Sequence, residues 1–370
     1  MNGRNQRIID PEAITRNLLR IRASLPQKTG LIAVVKADGY GHGAVQTAEA
    51  AIRAGAAMLA VASVSEGVSL LENGIRGIPV LVLGAVMRSD AAEGISHHLI
   101  QTICSPEMVF FCEQAAQETG CVAEVHLKVD TGIRRIGVRT EAETTSVLEA
   151  LAKCPHVKLT GVFTHFSDAD GDESGLQYTE RQFERFIQLT EVLPKGIVRH
   201  CANSAAIHRM PEKALDLVRA GISMYGYPPV PTDLPLEPCM KWVAQVSYIK
   251  DIGPGEYVSY GRTFRSDRPM RVATVTCGYA DGYHRKASAA AEVLIRGKRF
   301  RVIGRICMDQ MLADVTDAEE IQTGDEVVLM GKSGKETISA EDIARWADTI
   351  SYEILTSAGR RVERLYQPFD

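Results

Sequence analysis

The chain has 370 residues, 45% of them hydrophobic and 24% charged, with a formal net charge of −4, the balance of an ordinary globular protein long enough for two domains. That charge argues against nucleic acid or anionic lipid as a partner, since both need a basic face, and neither a signal-peptide core nor a run of membrane-spanning length is expected. Eight cysteines show no CxxC pair and no metal spacing with the nine histidines, so no metal is expected and reduced thiols in a cytoplasm fit.

Residues 10–25 read as a helix, because Ile14, Leu18, Leu19 and Ile21 recur near helical spacing and Asp10 with Pro11 offers an N-cap followed by a first helical residue. Next comes Leu31-Ile-Ala-Val-Val-Lys36. Five apolar residues, several of them β-branched, are too short for a helix and suit a strand buried on both faces. A lysine at its end sits at the rim of a hydrophobic wall, where desolvation lowers its pKa and frees the amine to attack a carbonyl: Schiff-base chemistry. The same placement also suits a lysine that snorkels or pairs with a carboxylate. Gly39, Gly41 and Gly43 allow a tight turn, and Ala44, Val45, Ala48 and Ile52 begin a helix.

Strand and helix then alternate. Short apolar runs recur at 31–35, 57–62, 79–83, 99–103, 122–129, 157–164, 196–201 and 215–218. Eight strands joined by helical crossovers close into a (β/α)8 TIM-like barrel, with a doubly wound open sheet as the alternative. No GxGxxG or GxxxxGK[ST] follows the first strand, so a dinucleotide or P-loop reading lacks its motif. Barrel enzymes carry their chemistry at the C-terminal ends of the strands. Those ends hold Lys36, Lys128 with Asp130, His165, Asn203 with Ser204, and Arg219 with Gly221.

Prolines 228, 229, 231, 235 and 238 mark a linker, read as residues 227–240. The barrel is expected over 1–226, with residues 1–9 free to join the second domain, and a mainly β domain over 241–370. There the strand candidates are Val243–Ile249, Tyr257–Tyr260, Val272–Cys277, Val293–Ile295, Phe300–Ile306 and Val327–Met330. Arg296-Gly297-Lys298 has the look of a hairpin turn, and Ser339 with Asp342 forms a capping-box pattern that starts a helix.

The octapeptide Lys36-Ala-Asp-Gly-Tyr-Gly-His-Gly43 resembles the pyridoxal-phosphate lysine motif of the alanine racemase family. The resemblance runs on through Leu127-Lys-Val-Asp-Thr-Gly132, Gly161-Val-Phe-Thr-His165, Cys201-Ala-Asn-Ser204, Arg219-Ala-Gly-Ile222, Val258-Ser-Tyr-Gly261, Gly278-Tyr-Ala-Asp-Gly282, Gly304-Arg-Ile-Cys-Met-Asp309 and Ile350-Ser-Tyr-Glu353. It implies an α/β fold of barrel plus β domain and a pyridoxal 5′-phosphate enzyme interconverting L- and D-alanine for cell-wall precursor supply.

Racemisation needs two bases, one on each face of the α-carbon. By resemblance they are Lys36 and Tyr260, although a phenol with a pKa near 10 needs neighbouring donors or cations to serve near neutrality. Arg219 would face the cofactor's pyridine nitrogen, supported by His165 and His200, and an always-protonated guanidinium keeps that nitrogen bare. Ser204, the amides of Gly221 and Ile222, and the hydroxyls of Tyr40 and Tyr352 match the family's phosphate cradle, with Asn203 alongside. Arg135 corresponds to the residue that engages the substrate carboxylate, and Lys128 to a lysine often carbamylated in the family. Tyr260, Tyr279 and Met308, the last followed by Asp309, would enter the site of the partner in a head-to-tail homodimer. Arg134 stands where the family has a glycine. The rival readings are a decarboxylase of the same layout, a racemase of broader specificity and a non-catalytic pyridoxal-phosphate carrier. The decarboxylase is expected to show an acidic residue in place of Arg219.

Overall fold

The structure is a computed structural model and describes residues 4–369. They divide into two compact units, one comprising Ile14–Gly39 and Gly43–Glu237, the other the residues up to Ala13, Tyr40–His42 and those from Pro238 on. The first strand of the chain, β1 (Asn5–Ile9), belongs to the second unit.

In the first unit eight parallel strands form a closed barrel: β2 (Gly30–Val34), β3 (Met58–Val61), β4 (Val80–Ala85), β5 (Ile100–Ile103), β6 (Ala123–Lys128), β7 (Val157–Phe163), β8 (Val198–His200) and β9 (Leu217–Ala220). All eight fall on the apolar runs expected to be strands. Closure is made by β9 returning to β2, with Gly30 opposite Leu217 and Ala33 opposite Ala220. Ile32, Leu59, Leu81, Val125, Val162 and Val218 are wholly buried, which is why the strands are continuous apolar runs and not alternating ones.

The strands hand over to helices through side-chain caps. Ser63, Ser105, Thr140, Asp172 and Asn203 each accept a first-turn amide, fixing where each loop above the barrel ends. The expected first helix runs Pro11–Ala23, and Asp10 Oδ1 accepts the amides of Glu12 (2.9 Å) and Ala13 (3.1 Å).

The second unit is built on β10 (Met240–Ile252), which pairs with β1, with β13 (Met270–Val275) and with β17 (Glu326–Ser333). β11 (Tyr257–Val258) pairs with β12 (Phe264–Arg265), β14 (Glu292–Ile295) with β15 (Lys298–Arg301) and with β17, and β16 (Met311–Asp314) with β13. β18 (Glu336–Ile338) pairs with β17, and β19 (Glu363–Tyr366) runs parallel to β1. The helix expected from the capping box is Ala340–Ala347, with Ser339 and Asp342 satisfying each other's amides.

The expected strand 257–260 stops at Val258, because Ser259 turns to φ 62° and a short 3-10 turn, Tyr260–Arg262, follows. That turn takes Tyr260 out of the ladder. β1 was not legible as a strand because it is polar, Asn5-Gln-Arg-Ile-Ile9, yet every residue of it is buried. Each of its three polar side chains finds a partner: Asn5 accepts from the Trp242 indole, Gln6 donates to Glu363 (2.7 Å), and Arg7 donates to the carbonyl of Leu355 (2.6 Å) while lying 4.2 Å over the Trp242 ring.

Candidate active site

Arg219 is the hub of the barrel site. It leaves the end of β9, is 3% exposed, and its guanidinium donates to the carbonyls of Thr164 (2.8 Å), Cys201 (3.0 Å) and His200 (3.2 Å) and to Nδ1 of His200 (2.9 Å) and of His165 (3.2 Å). A guanidinium has no lone pair to offer, so both Nδ1 atoms are acceptors and both rings carry their proton on Nε2. His200 Nε2 lies 3.1 Å from His126 Nδ1; the chain of donation therefore runs Arg219 to His200 to His126. Burial and then the Arg219 charge hold His200 and His165 well below the usual histidine range, and burial lowers His126 to about 4. Neutral imidazoles let the cation sit among them without repulsion. Burial also lowers Arg219 to about 10, still far above neutrality.

His126 is a residue that sequence reasoning passed over. It precedes Lys128 by two in β6, so both point to one face of the strand, and that alternation was the available clue. Its ring occupies the place of a side chain at Gly161, where an added Cβ would lie 2.4 Å from Nε2. The Phe163 ring stacks on His200 with centroids 4.9 Å apart and an interplanar angle of 3°, and Lys128 Nζ and Arg219 Cζ lie 5.5 and 5.6 Å from its centroid.

Lys128 is buried and its Nζ donates to the carbonyl of Val129 (2.6 Å). Burial, then Arg219, lower its pKa to about 7, against the opposing pull of Asp130. Lys36 stands at the end of β2. Burial lowers it first, and the charges of Arg135 and Arg219 lower it further, while Glu66 raises it. The strand ends thus gather four basic groups, Lys36, Lys128, Arg135 and Arg219, that act on one another electrostatically.

Ser204 and Asn203 divide their roles. Asn203 is the helix cap, its Oδ1 accepting the Ala206 amide (3.1 Å), while Ser204 Oγ accepts the amides of Gly221 (3.0 Å) and Ser223 (3.4 Å). The Gly221 amide is therefore engaged within the protein. The Ser204 hydroxyl hydrogen remains to donate, and Ile222 opens the turn Ile222–Tyr225, where amides lack an intrahelical partner. A hydroxyl and the amides of a turn start suit a phosphate group, and Arg219, in the strand that leads into that turn, adds a positive charge. The residues present fit pyridoxal phosphate.

Arg134 explains its own oddity. Its φ is 61°, in the region where glycine is at home, and its side chain is exposed and 4.0 Å from Asp130, whose Oδ1 accepts the amides of Gly132 (2.9 Å) and Arg134 (3.0 Å). Replacing Arg134 by glycine removes a left-handed penalty of about 1–2 kcal/mol and gives back part of it as unfolded-chain entropy. R134G is expected to raise unfolding stability by about 0.5–1 kcal/mol in urea denaturation.

The remaining expected residues lie in the second unit. Tyr40 packs on Tyr352, with ring centroids 6.1 Å apart, and burial, then Tyr352, raise the Tyr40 phenol. Between Tyr40 and His42 only glycine fits at 41, since an added Cβ would lie 2.2 Å from the Leu355 carbonyl. Tyr260, Tyr279 and Met308 are 68%, 41% and 52% exposed and belong to loops tied together. The Ser259 hydroxyl donates to the Arg305 carbonyl, and the amides of Tyr279 and Ala280 donate to the carbonyls of Cys307 (3.0 Å) and Met308 (2.9 Å). Arg361 pairs with Asp281 (2.6 Å) and Asp309 (2.7 Å) across the same loops. Nothing in the local sequence singles out Arg361 for this role, because its partners come from distant loops.

Residues 9–229 match the family described as alanine racemase, N-terminal domain, and residues 239–366 the alanine racemase, C-terminal domain. An alanine racemase of Symbiobacterium thermophilum is 43% identical over 365 residues, 97% of this chain and 96% of its own. A crystal structure of alanine racemase from E. faecalis superposes with a TM-score of 0.93 at 34% identity, covering 99% of this chain and 98% of its own. A histidine racemase from Leuconostoc mesenteroides superposes at 0.91 with 25% identity, covering 99% of each chain. With both domain profiles matched over almost its whole length, this chain belongs to the alanine racemase family.

Proposed function

We propose that the protein is an alanine racemase, interconverting L- and D-alanine with pyridoxal 5′-phosphate as cofactor and Lys36 and Tyr260 as the two bases. The observation that carries this is the gathering of Lys36, Lys128, Arg135 and Arg219 at the strand ends, an excess of positive charge that a phosphate and a substrate carboxylate would neutralise. When bound, pyridoxal phosphate supplies the electron sink that makes the α-proton of an amino acid removable.

The chain's own residues supply the rest. Lys36, lowered by burial, is the amine that would hold the cofactor, and the same amine would take or return a proton on one face. Tyr260, exposed in the single chain, is offered to the site of a partner subunit in a homodimer, with Tyr279, Met308 and Asp309 beside it. Arg135 receives the substrate carboxylate. Ser204 and Ile222, with Asn203 as cap and Gly221 as the turn's hinge, hold the phosphate, and Tyr40 and Tyr352 are the family's further phosphate donors. Arg219, protonated at neutral pH, would donate to the ring nitrogen and so leave it without a proton, and His165 and His200 fix the guanidinium in place. All eight cysteines are free, as suits the cytoplasm. Among the described residues no helix is long and apolar enough to cross a membrane.

The assay is incubation of the purified protein with L-alanine, followed by separation of enantiomers and measurement of evolved gas. Equal amounts of L- and D-alanine without carbon dioxide are expected; carbon dioxide would turn the reading toward a decarboxylase. The likeness to a histidine racemase supports a second reading, a wider amino-acid range, since one methylene changes selectivity by only about 1–3 kcal/mol. The same assay with serine and histidine separates the two.

Lys128 gives a pH prediction. An unfolded lysine holds its proton to about pH 10.4, whereas folded Lys128 loses it near pH 7. Between those values the folded state binds fewer protons, so Lys128 makes stability rise with pH from about 7 toward about 10. A neutral amine is also what attacks carbon dioxide: the nitrogen bonds to carbon, a proton leaves, and the carbamate formed is a counter-ion for Arg135. The pH-dependent rise in melting temperature is expected in bicarbonate-free buffer, to be absent in K128M, and to be replaced in bicarbonate by a stabilisation present already at pH 7.

A further inference from the structure

The backbone behind Lys36 is left-handed for several residues. Ala37 (φ 52°), Asp38 (φ 52°) and Gly39 (φ 61°) follow one another in this conformation, which non-glycine residues keep only where surrounding structure holds them. Part of the hold is local: the Gly39 amide donates to the Val35 carbonyl (2.9 Å), the Gly43 amide to the Asp38 carbonyl (2.8 Å), and the Ala44 amide to Asp38 Oδ1 (2.8 Å). Another part arrives from the neighbouring strand. Glu66 Oε1 accepts the amide of Ala37 (2.8 Å) and Oε2 the amide of Ala62 (2.7 Å).

Glu66 is the third residue of the helix Val64–Glu72, and its amide donates to the cap, Ser63 Oγ (3.3 Å). In a capping box such a glutamate turns back on the cap's own amide. Here it instead bridges the loops above β2 and β3, gripping the residue that follows Lys36.

We propose that Glu66 is a positioning residue for Lys36, its carboxylate pinning the left-handed turn and so fixing how the amine is presented at the strand ends. The inference rests on reading Lys36 as the reacting amine. The charges that act on Lys36 are those of Arg135 and Arg219, which lower it, and of Glu66, which raises it, while His165, which feels the Lys36 charge, is itself held neutral. Glu66 is thus the anion that offsets two arginines, and a charge-assisted bond to Ala37 is stronger than a neutral one.

The test uses full-length protein freed of cofactor, labelled with trace acetic anhydride from about pH 6 to about pH 10, with each lysine quantified by mass spectrometry. In E66Q, which keeps the size and loses the charge, Lys36 is expected to label with its midpoint about one pH unit lower, a change of about tenfold in the protonation equilibrium. Exposed Lys28 should not change. E66D, which retains the charge, should bring the Lys36 midpoint back toward wild type. Reloaded E66Q should release pyridoxal phosphate about tenfold faster than wild type, a tenfold change being about 1.4 kcal/mol. A folded E66Q whose Lys36 titrates as in wild type overturns the proposal, whether or not cofactor release quickens, because quicker release alone marks general loosening. Wild-type protein that labels as described yet does not racemise alanine would count against the reading of function and leave the role of Glu66 standing.

Discussion

K36A is expected to fold normally and to racemise alanine at least about 10⁴-fold more slowly, since in the function proposed above one substitution removes both the tether for the cofactor and a base worth about 10²–10⁴. Lys36 ends a strand and its ammonium is disfavoured by burial, so alanine removes no structural contact that the barrel needs and stability should change little. The loss should fall on kcat. Small primary amines added to K36A should restore part of the rate, because an amine of the right size can diffuse to the place the side chain left. In the homodimer proposed above, mixing K36A with Y260F after reversible dissociation should recover activity that neither variant has alone, since one site of each mixed dimer keeps both bases. No recovery on mixing would mean that the two residues do not serve one site across the interface.

Arg219 is the second large effect, and here stability and activity move together. Its guanidinium satisfies the carbonyls of Thr164, Cys201 and His200 and two imidazole nitrogens. Removing one side of such a buried set costs about 3–5 kcal/mol, because the acceptors stay behind without donors. R219Q is expected to lose about that much in denaturant unfolding and about 10²–10³ in kcat, the range for a lost preorganised donor. R219K retains the charge but cannot reach five acceptors with one ammonium, so it should recover only part of either. In R219E a carboxyl could hand a proton to the ring nitrogen that, in the function proposed above, arginine keeps bare. Pyruvate from amino transfer is then expected to appear beside the racemic product. R219Q with wild-type stability would show that the network is not what holds the site.

The barrel was legible because its strands are buried on both faces and read as apolar runs separated by helix-like segments. The strand-end positions of Lys36, Lys128, His165, Asn203, Ser204 and Arg219 followed from the same alternation. What was not legible is what the fold brings together over long sequence distances. β1 reads as polar and is buried because Trp242, Glu363 and the end of helix Ser351–Thr356 satisfy its side chains. His126 completes the arginine network only because β6 and β8 both pair with β7. The division of labour between Asn203 and Ser204 was hidden because either could cap a helix, and only the approach of the Gly221 turn decides it. Tyr260 looked like the last residue of a strand, and the positive φ of Ser259, invisible in composition, is what frees it.

The most direct measurement is α-proton exchange by Y260F in deuterated water, with L- and D-alanine supplied separately and followed by NMR. If Lys36 and a phenol each serve one face of the α-carbon, this variant should wash deuterium into one enantiomer, with retention of configuration, while interconversion falls by about 10²–10⁴. Exchange at equal rates into both enantiomers, or undiminished racemisation, would contradict a two-base site built on Lys36 and Tyr260.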